Sequence, residues 1–233
     1  MPVGIVVNVI SFVVGTLIGG AIRRFVPDHL RENLPKIFGI CAFTIGVQAT
    51  GKVQTLPMVI VAVILGFTIG ELLRIDRKVV GAFSAALKKL PFRIEGDREA
   101  YMEQYLLAVL MFAMSGTGLF GALNEGLSGD PAILLSKSML DFCTAILFGA
   151  ILGVAQVLVC LPQLVVLMAC YLLASFISPF LSPVMIADFQ ACGGLLTMLT
   201  GLTVSRVLKL RAINLVPALI LVMPLVGLYY MVF

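Results

Sequence analysis

The chain has 233 residues, of which 61% are hydrophobic and 12% charged, well above the apolar share and about half the charged share of a soluble domain. A water-soluble fold of this size has more surface than so few charges can cover, which argues against a soluble enzyme. The formal charge of +4 comes without the basic and aromatic patch of a nucleic-acid binder, so it reads as membrane topology and no nucleic acid partner is expected.

Apolar stretches lie, in chain order, at 3–21, 37–50, 56–73, 106–123, 131–159, 164–177, 184–204 and 216–233. They predict an all-α integral membrane protein of about eight transmembrane or partly re-entrant helices, with the lipid bilayer as its solvent. No basic region precedes the first stretch, and Arg23 and Arg24 come after it, so it is expected to stay as a span rather than act as a cleaved signal. The second and sixth stretches have 14 residues each, about 21 Å of helix against roughly 30 Å of hydrocarbon. They read as half-helices, tilted partners or re-entrant segments. From Phe142 to Ala187 there are 46 residues without Asp, Glu, Lys or Arg, about twice the need of one span. Pro162 and Gln163 are expected at the turn inside that run.

Fourteen of the sixteen basic residues fall on one side of this arrangement. Arg23, Arg24, Arg31 and Lys36 follow the first span; Arg74, Arg77, Lys78, Lys88, Lys89, Arg93 and Arg98 the third; Arg206, Lys209 and Arg211 the seventh. Lys52 and Lys137 are the remaining two. Because Lys and Arg are retained in the cytoplasm, this predicts an inner-membrane, multi-pass chain with an even number of spans and both termini outside.

The chain divides into a first three-helix unit at 1–74, a cytoplasmic segment at 75–103, a central glycine-rich pair at 104–159 and a second three-helix unit at 160–233. In the cytoplasmic segment Ile75, Val79, Phe83, Ala86 and Leu90 recur as one helical face, predicting an amphipathic helix on the inner leaflet or against a partner. Gly39 to Gly46 resembles Gly194 to Gly201, and each is followed by a proline opening the next apolar run, Pro57 and Pro217. By the charge rule the two pairs cross in opposite senses, the pattern of an inverted repeat.

Five glycines between Gly116 and Gly129 permit a broken helix. If Pro131 opens the next span at the outer surface, Lys137 lies about 9 Å and Asp141 about 15 Å down. An ionised side chain at such depth costs roughly 3 kcal/mol. Four residues apart, the two share a helix face. They read as a lining for a polar pathway, or as an ion pair that neutralises itself and packs the bundle. Asn124, Glu125, Asp130 and Asp188 form an acidic vestibule or are solvated loop residues; Glu71 is interfacial or lines the path. Asn8, Gln48, Gln156 and Gln190 are expected to hydrogen-bond between helices, with Gln190 also a pathway candidate.

Gly15 and Gly19, Gly66 and Gly70, and Gly149 and Gly153 each have the spacing that lets helices approach closely, within a compact bundle or a homodimer. Cys41, Cys143, Cys160, Cys170 and Cys192 lie in apolar segments without CxxC spacing and read as buried free thiols rather than metal ligands. No cofactor is expected. No nucleotide loop, HExxH or GxSxG is present, and the one histidine, His29, falls in a loop, so catalysis is not expected.

The segment Gly126-Leu-Ser-Gly-Asp-Pro-Ala-Ile-Leu-Leu-Ser-Lys-Ser-Met-Leu-Asp141 resembles the GDxxxLxxKSxLD stretch of the YqgA/YdfK-like bacterial inner-membrane proteins, domain-of-unknown-function family 554. Gly66-Phe-Thr-Ile-Gly-Glu-Leu-Leu73, Gly193-Gly-Leu-Leu196 and Asn214-Leu-Val-Pro217 extend the resemblance over nearly the whole chain; Val216-Pro217 stands where the family tends to Leu-Pro. The resemblance implies the membrane class and supplies no substrate. The residues themselves lead to a small secondary transporter or channel for a small polar solute or ion, with a membrane scaffold or sensor docking a cytoplasmic partner as the alternative.

Overall fold

The computed structural model describes residues 2–23, 27–87, 105, 108–109, 111–113 and 115–232. Among these there are no strands and nine continuous α-helices: α1 (Val3–Ala21), α2 (Asp28–Thr50), α3 (Leu56–Leu73), α4 (Ile75–Leu87), α5 (Gly116–Ser128), α6 (Ala132–Leu152), α7 (Cys160–Ile177), α8 (Pro183–Val204) and α9 (Val216–Val232). Six helical segments, those of α1, α3, α6, α7, α8 and α9, are long and apolar enough to cross a membrane, and α2 adds a shorter apolar stretch, Lys36–Thr50. Their outward faces carry Val, Ile and Leu at α1, α3 and α7, the surface that lipid rather than water would cover.

Glycines set which helices meet. A Cβ on Gly15 would fall 2.5 Å from the Phe142 carbonyl oxygen, and one on Gly149 2.5 Å from that of Thr16. The backbones of α1 and α6 therefore touch, and run in the same direction. Gly39 lies against Gly201 and Gly46 against Gly194, each hypothetical Cβ meeting the partner's backbone within 2.7 Å, so α2 and α8 interlock head to tail. In the same way Gly66 meets Ala218 and Gly70 meets Asn214, which sets α9 antiparallel to α3. Contact this close replaces the hydrophobic drive that lipid does not supply between helices.

These contacts make the helix directions alternate along the chain, leaving α4 aside. The start of α1, the Thr55 end of α3 and the end of α9 share one end of the bundle, where the Thr55 hydroxyl meets the Tyr230 hydroxyl at 3.4 Å. At the opposite end stand Arg23, Lys36, Arg74, Arg77, Lys78, Arg206, Lys209 and Arg211, outside the long apolar helices.

Among the described residues three apolar clusters fill the interior. The largest joins α2, α3, α8 and α9 around Val59, Phe189, Leu196 and Leu219. A second packs Phe12 of α1 on Phe112, ring centroids 4.6 Å apart. The third holds Ile5, Ala122, Leu134 and Leu167 between α1, α5, α6 and α7.

Several elements depart from the sequence expectations. The fourth stretch is not one helix across 106–123: residues 111–113 are helical, Ser115 is extended (φ −67°, ψ 139°), and α5 begins afresh at Gly116. The Ser115 hydroxyl caps the new helix by accepting from the Gly118 N–H at 3.0 Å, and the glycines make this break cheap. The uncharged run turns at Gly153 (φ +73°) and not at Pro162 and Gln163. A 3₁₀ segment, Val154–Val159, leads into α7, whose first turn holds Pro162, as a helix tolerates. Gly153 is thus a helix terminator with nothing within 4 Å of a Cβ, not a packing glycine. The second stretch belongs to a helix of 23 residues, longer than its apolar part. The amphipathic helix is α4 as far as Leu87, and Leu90 lies outside the described residues. All five cysteines are free, but only Cys192 is buried; Cys41 and Cys143 are exposed on helix faces.

Candidate functional site

The helical repeat puts Lys137 and Asp141 one turn apart on the inner face of α6, with 2% and 7% of their surface exposed. The Lys137 ammonium pairs with Asp141 Oδ2. Two further helices deliver donors to the same oxygen. Asn8 of α1, fully buried, donates through Nδ2 at 2.8 Å. Gln163 of α7, also fully buried, donates through Nε2 to Asn8 Oδ1 at 2.7 Å and to Asp141 Oδ2 at 3.3 Å. A carboxylate away from water is stable only with such charge-assisted donors. The α1 to α6 glycine contact is what brings Asn8 within reach.

The broken helix closes the site on another side. A Cβ on Gly118 would stand 2.9 Å from Lys137 Cε and 2.9 Å from Ser115 Oγ, so the lysine stem lies against the first turn of α5. Among the described residues two buried oxygens have no hydrogen-bond partner, Gln163 Oε1 within the cluster and Thr117 Oγ1 on the first turn of α5. No hydrogen bond among the described residues reaches Asp141 Oδ1. The site is therefore held at one carboxylate oxygen, with hydrogen-bonding capacity left over at Gln163 Oε1 and Asp141 Oδ1, which water, a proton or a small ligand could use.

The remaining predicted residues separate into two groups away from the pair. Toward the end where α1 starts, Asn124 accepts from Gln190 Nε2 at 2.5 Å and donates to the Asp130 carbonyl at 3.2 Å. Glu125 accepts the Gly4 N–H at 2.9 Å, serving the open first turn of α1, while its Oε2 is without a partner. Asp188 performs the same service for α3, its Oδ1 accepting the N–H of Gln54 at 2.7 Å and of Thr55 at 2.9 Å. Asn124, Glu125 and Asp188 are buried, contrary to the solvated-loop reading; only Asp130 is exposed, its carboxylate capping the Ala132 N–H. At the other end Glu71 accepts from Asn214 Nδ2 at 2.8 Å, Asn214 accepts the Asp76 N–H at 2.9 Å, and Asp76 pairs with Arg211 at 3.1 Å. Glu71 thus belongs to a surface network.

Asn8, Gln163 and Thr117 are the members that the sequence did not single out for the site, Asn8 being expected only to bond between helices. Gln163 was hidden by its neighbour, since Pro162-Gln163 in an uncharged run reads as a turn. Thr117 carried no signal beyond lying among the glycines. Gln156 is fully buried, and among the described residues neither of its side-chain polar atoms has a partner, so the expected interhelical bond is not among those described. Gln48, expected to bond between helices, is exposed on α2.

A bundle of long apolar helices around a buried ionic cluster defines a multi-pass helical membrane protein. Residues 3–227 match the family described as "Protein of unknown function (DUF554)", and the chain belongs to that family, as the motif ending at Asp141 implied. It is 35% identical over 226 residues to the uncharacterized protein YqgA of Escherichia coli (strain K12), covering 97% of this chain and 96% of that protein. It is 25% identical over 227 residues to the uncharacterized membrane protein YdfK of Bacillus subtilis (strain 168), covering 94% and 93%. No solved structure matches the chain.

Proposed function

We propose that the protein is a small secondary transporter or channel of the bacterial inner membrane, moving a small polar solute or ion past Lys137 and Asp141. The observation that carries this reading is the Lys137–Asp141 pair set against the helix break at Ser115. Broken helices beside ionised residues recur where transporters bind their cargo at mid-membrane, and irregular backbone is tolerated there only when it lines a cavity or is buried in protein. The reciprocal packing of Gly39 and Gly46 on Gly201 and Gly194 supports taking the two three-helix units as inverted repeats, between which such sites lie. A homodimer would widen the wall around a pathway built from so few helices.

Reconstituted protein tested for flux of ions and small metabolites under imposed gradients checks the reading. Flux of at least one small polar species is the expected result. The second reading, a scaffold or sensor, draws on α4, whose Arg77 and Lys78 are exposed beyond the spans. Absence of flux under every gradient, with a stable cytoplasmic partner co-purifying, would favour it.

The charge asymmetry, with its basic cluster at one end of the bundle, supports both termini outside. Reporters that are active only in the cytoplasm should stay silent at either terminus and be active when inserted after α4. Activity at one terminus would remove the even number of crossings.

A further inference from the structure

We infer that the cargo of this site is a small oxyanion, received by the open first turn of α5 beside Lys137. The inference rests on the transport reading for the word cargo, but the binding site stands or falls by itself. α5 is a helix of 13 residues starting inside the bundle at Gly116. Helix geometry leaves the N–H groups of its first turn without an intrahelical acceptor. The Ser115 hydroxyl takes that of Gly118, and no hydrogen bond among the described residues takes those of Gly116 and Thr117, which can then serve a ligand.

The second observation is Thr117 itself. It is 3% exposed, and its hydroxyl has no partner among the described residues. The Cα–Cβ bonds of an α-helix tilt toward its N-terminus, so the Thr117 side chain leaves the helix on the side of the open amides. Lys137 lies against that turn at Gly118. Its ammonium carries three N–H donors, and Asp141 Oδ2 is its partner among the described residues.

The charge balance selects the sign of the ligand. Lys137 and Asp141 cancel, and the start of α5 adds the positive end of a helix dipole, about half an elementary charge. The site is thus electropositive as a whole. A carboxylate or similar oxyanion would find two amides, a hydroxyl and an ammonium, the donor set that helix N-termini offer to anions. A free cation would meet Lys137 and the dipole.

The test uses the full chain purified in detergent and follows its thermal midpoint as sodium chloride, whose anion is not an oxyanion, is replaced by sodium acetate or sodium nitrate at constant sodium. The wild type should show a saturable rise with acetate, with nitrate or with both; acetate alone specifies a carboxylate, both a general oxyanion. Thr117→Val keeps the shape of the side chain and removes the hydroxyl. It should raise the half-saturating concentration about ten-fold or more, as expected for a lost hydrogen bond to a charged ligand, while Thr117→Ser restores it. A wild type indifferent to both anions, or a Thr117→Val variant that titrates like the wild type, overturns the inference. Thr117-dependent binding without any flux would keep the anion site and remove transport. Flux with binding indifferent to Thr117 would do the reverse.

Discussion

Replacing Asp141 alone by leucine should destabilise the folded protein far more than replacing Asp141 and Lys137 together. The single change leaves the Lys137 ammonium, 2% exposed, with no counter-ion, and stranding one member of a buried pair costs about 3–5 kcal/mol. It also removes the acceptor for Asn8 Nδ2 and one of the two acceptors for Gln163 Nε2. In Lys137→Met, Asp141→Leu no charge is left stranded. What remains is mainly one buried amide without an acceptor, about 1–3 kcal/mol. Thermal midpoints of the detergent-purified proteins measure the difference. A double variant as unstable as Asp141→Leu would mean that the two residues do not act as a pair.

A Gly46→Leu substitution should prevent accumulation of folded protein. Even its Cβ would stand 2.6 Å from the Gly194 carbonyl oxygen and 2.6 Å from the Met198 nitrogen, where the obstacle is backbone and has no rotamer to move. Overpacking costs about 1–3 kcal/mol when side chains can adjust, and here the α2 and α8 axes would have to part along the whole interlocked face. Gly81 in α4 is the control, with nothing within 4 Å of a Cβ. Gly81→Ala should be tolerated, or gain about 1 kcal/mol in helix propensity. The yield of monodisperse protein after solubilisation reads both. A Gly46→Leu protein that purifies and melts like the wild type would show that α2 and α8 are not in backbone contact.

The helical membrane class was legible because apolar runs and clustered basic residues are local signals with one physical cause, the bilayer. The ion pair at 137 and 141 was legible for the same reason, since two ionisable residues inside an apolar run stand out without knowledge of the fold. What was not legible depended on partners distant in sequence. Asn8, Gln163 and Thr117 gather at Asp141 and the α5 terminus only because glycines bring α1 against α6 and α5 opens at Ser115. The glycines of 116–129 announced a break but not its position, which Ser115 fixes by capping Gly118. Pro162 misled, because a proline in the first turn of a helix and a proline in a loop have the same local signature. The carboxylates Glu125 and Asp188 read as vestibule or loop acids until the structure showed that each serves the open amides of another helix.

Whether the buried pair works on a moving species or only holds helices together is tested most directly by flux through proteoliposomes carrying the Lys137→Met, Asp141→Leu variant. The variant should insert, remain folded and carry none of the flux that the wild type shows for its best substrate under the same gradient. Flux in the double variant equal to that of the wild type would contradict the account, reducing Lys137 and Asp141 to a packing device.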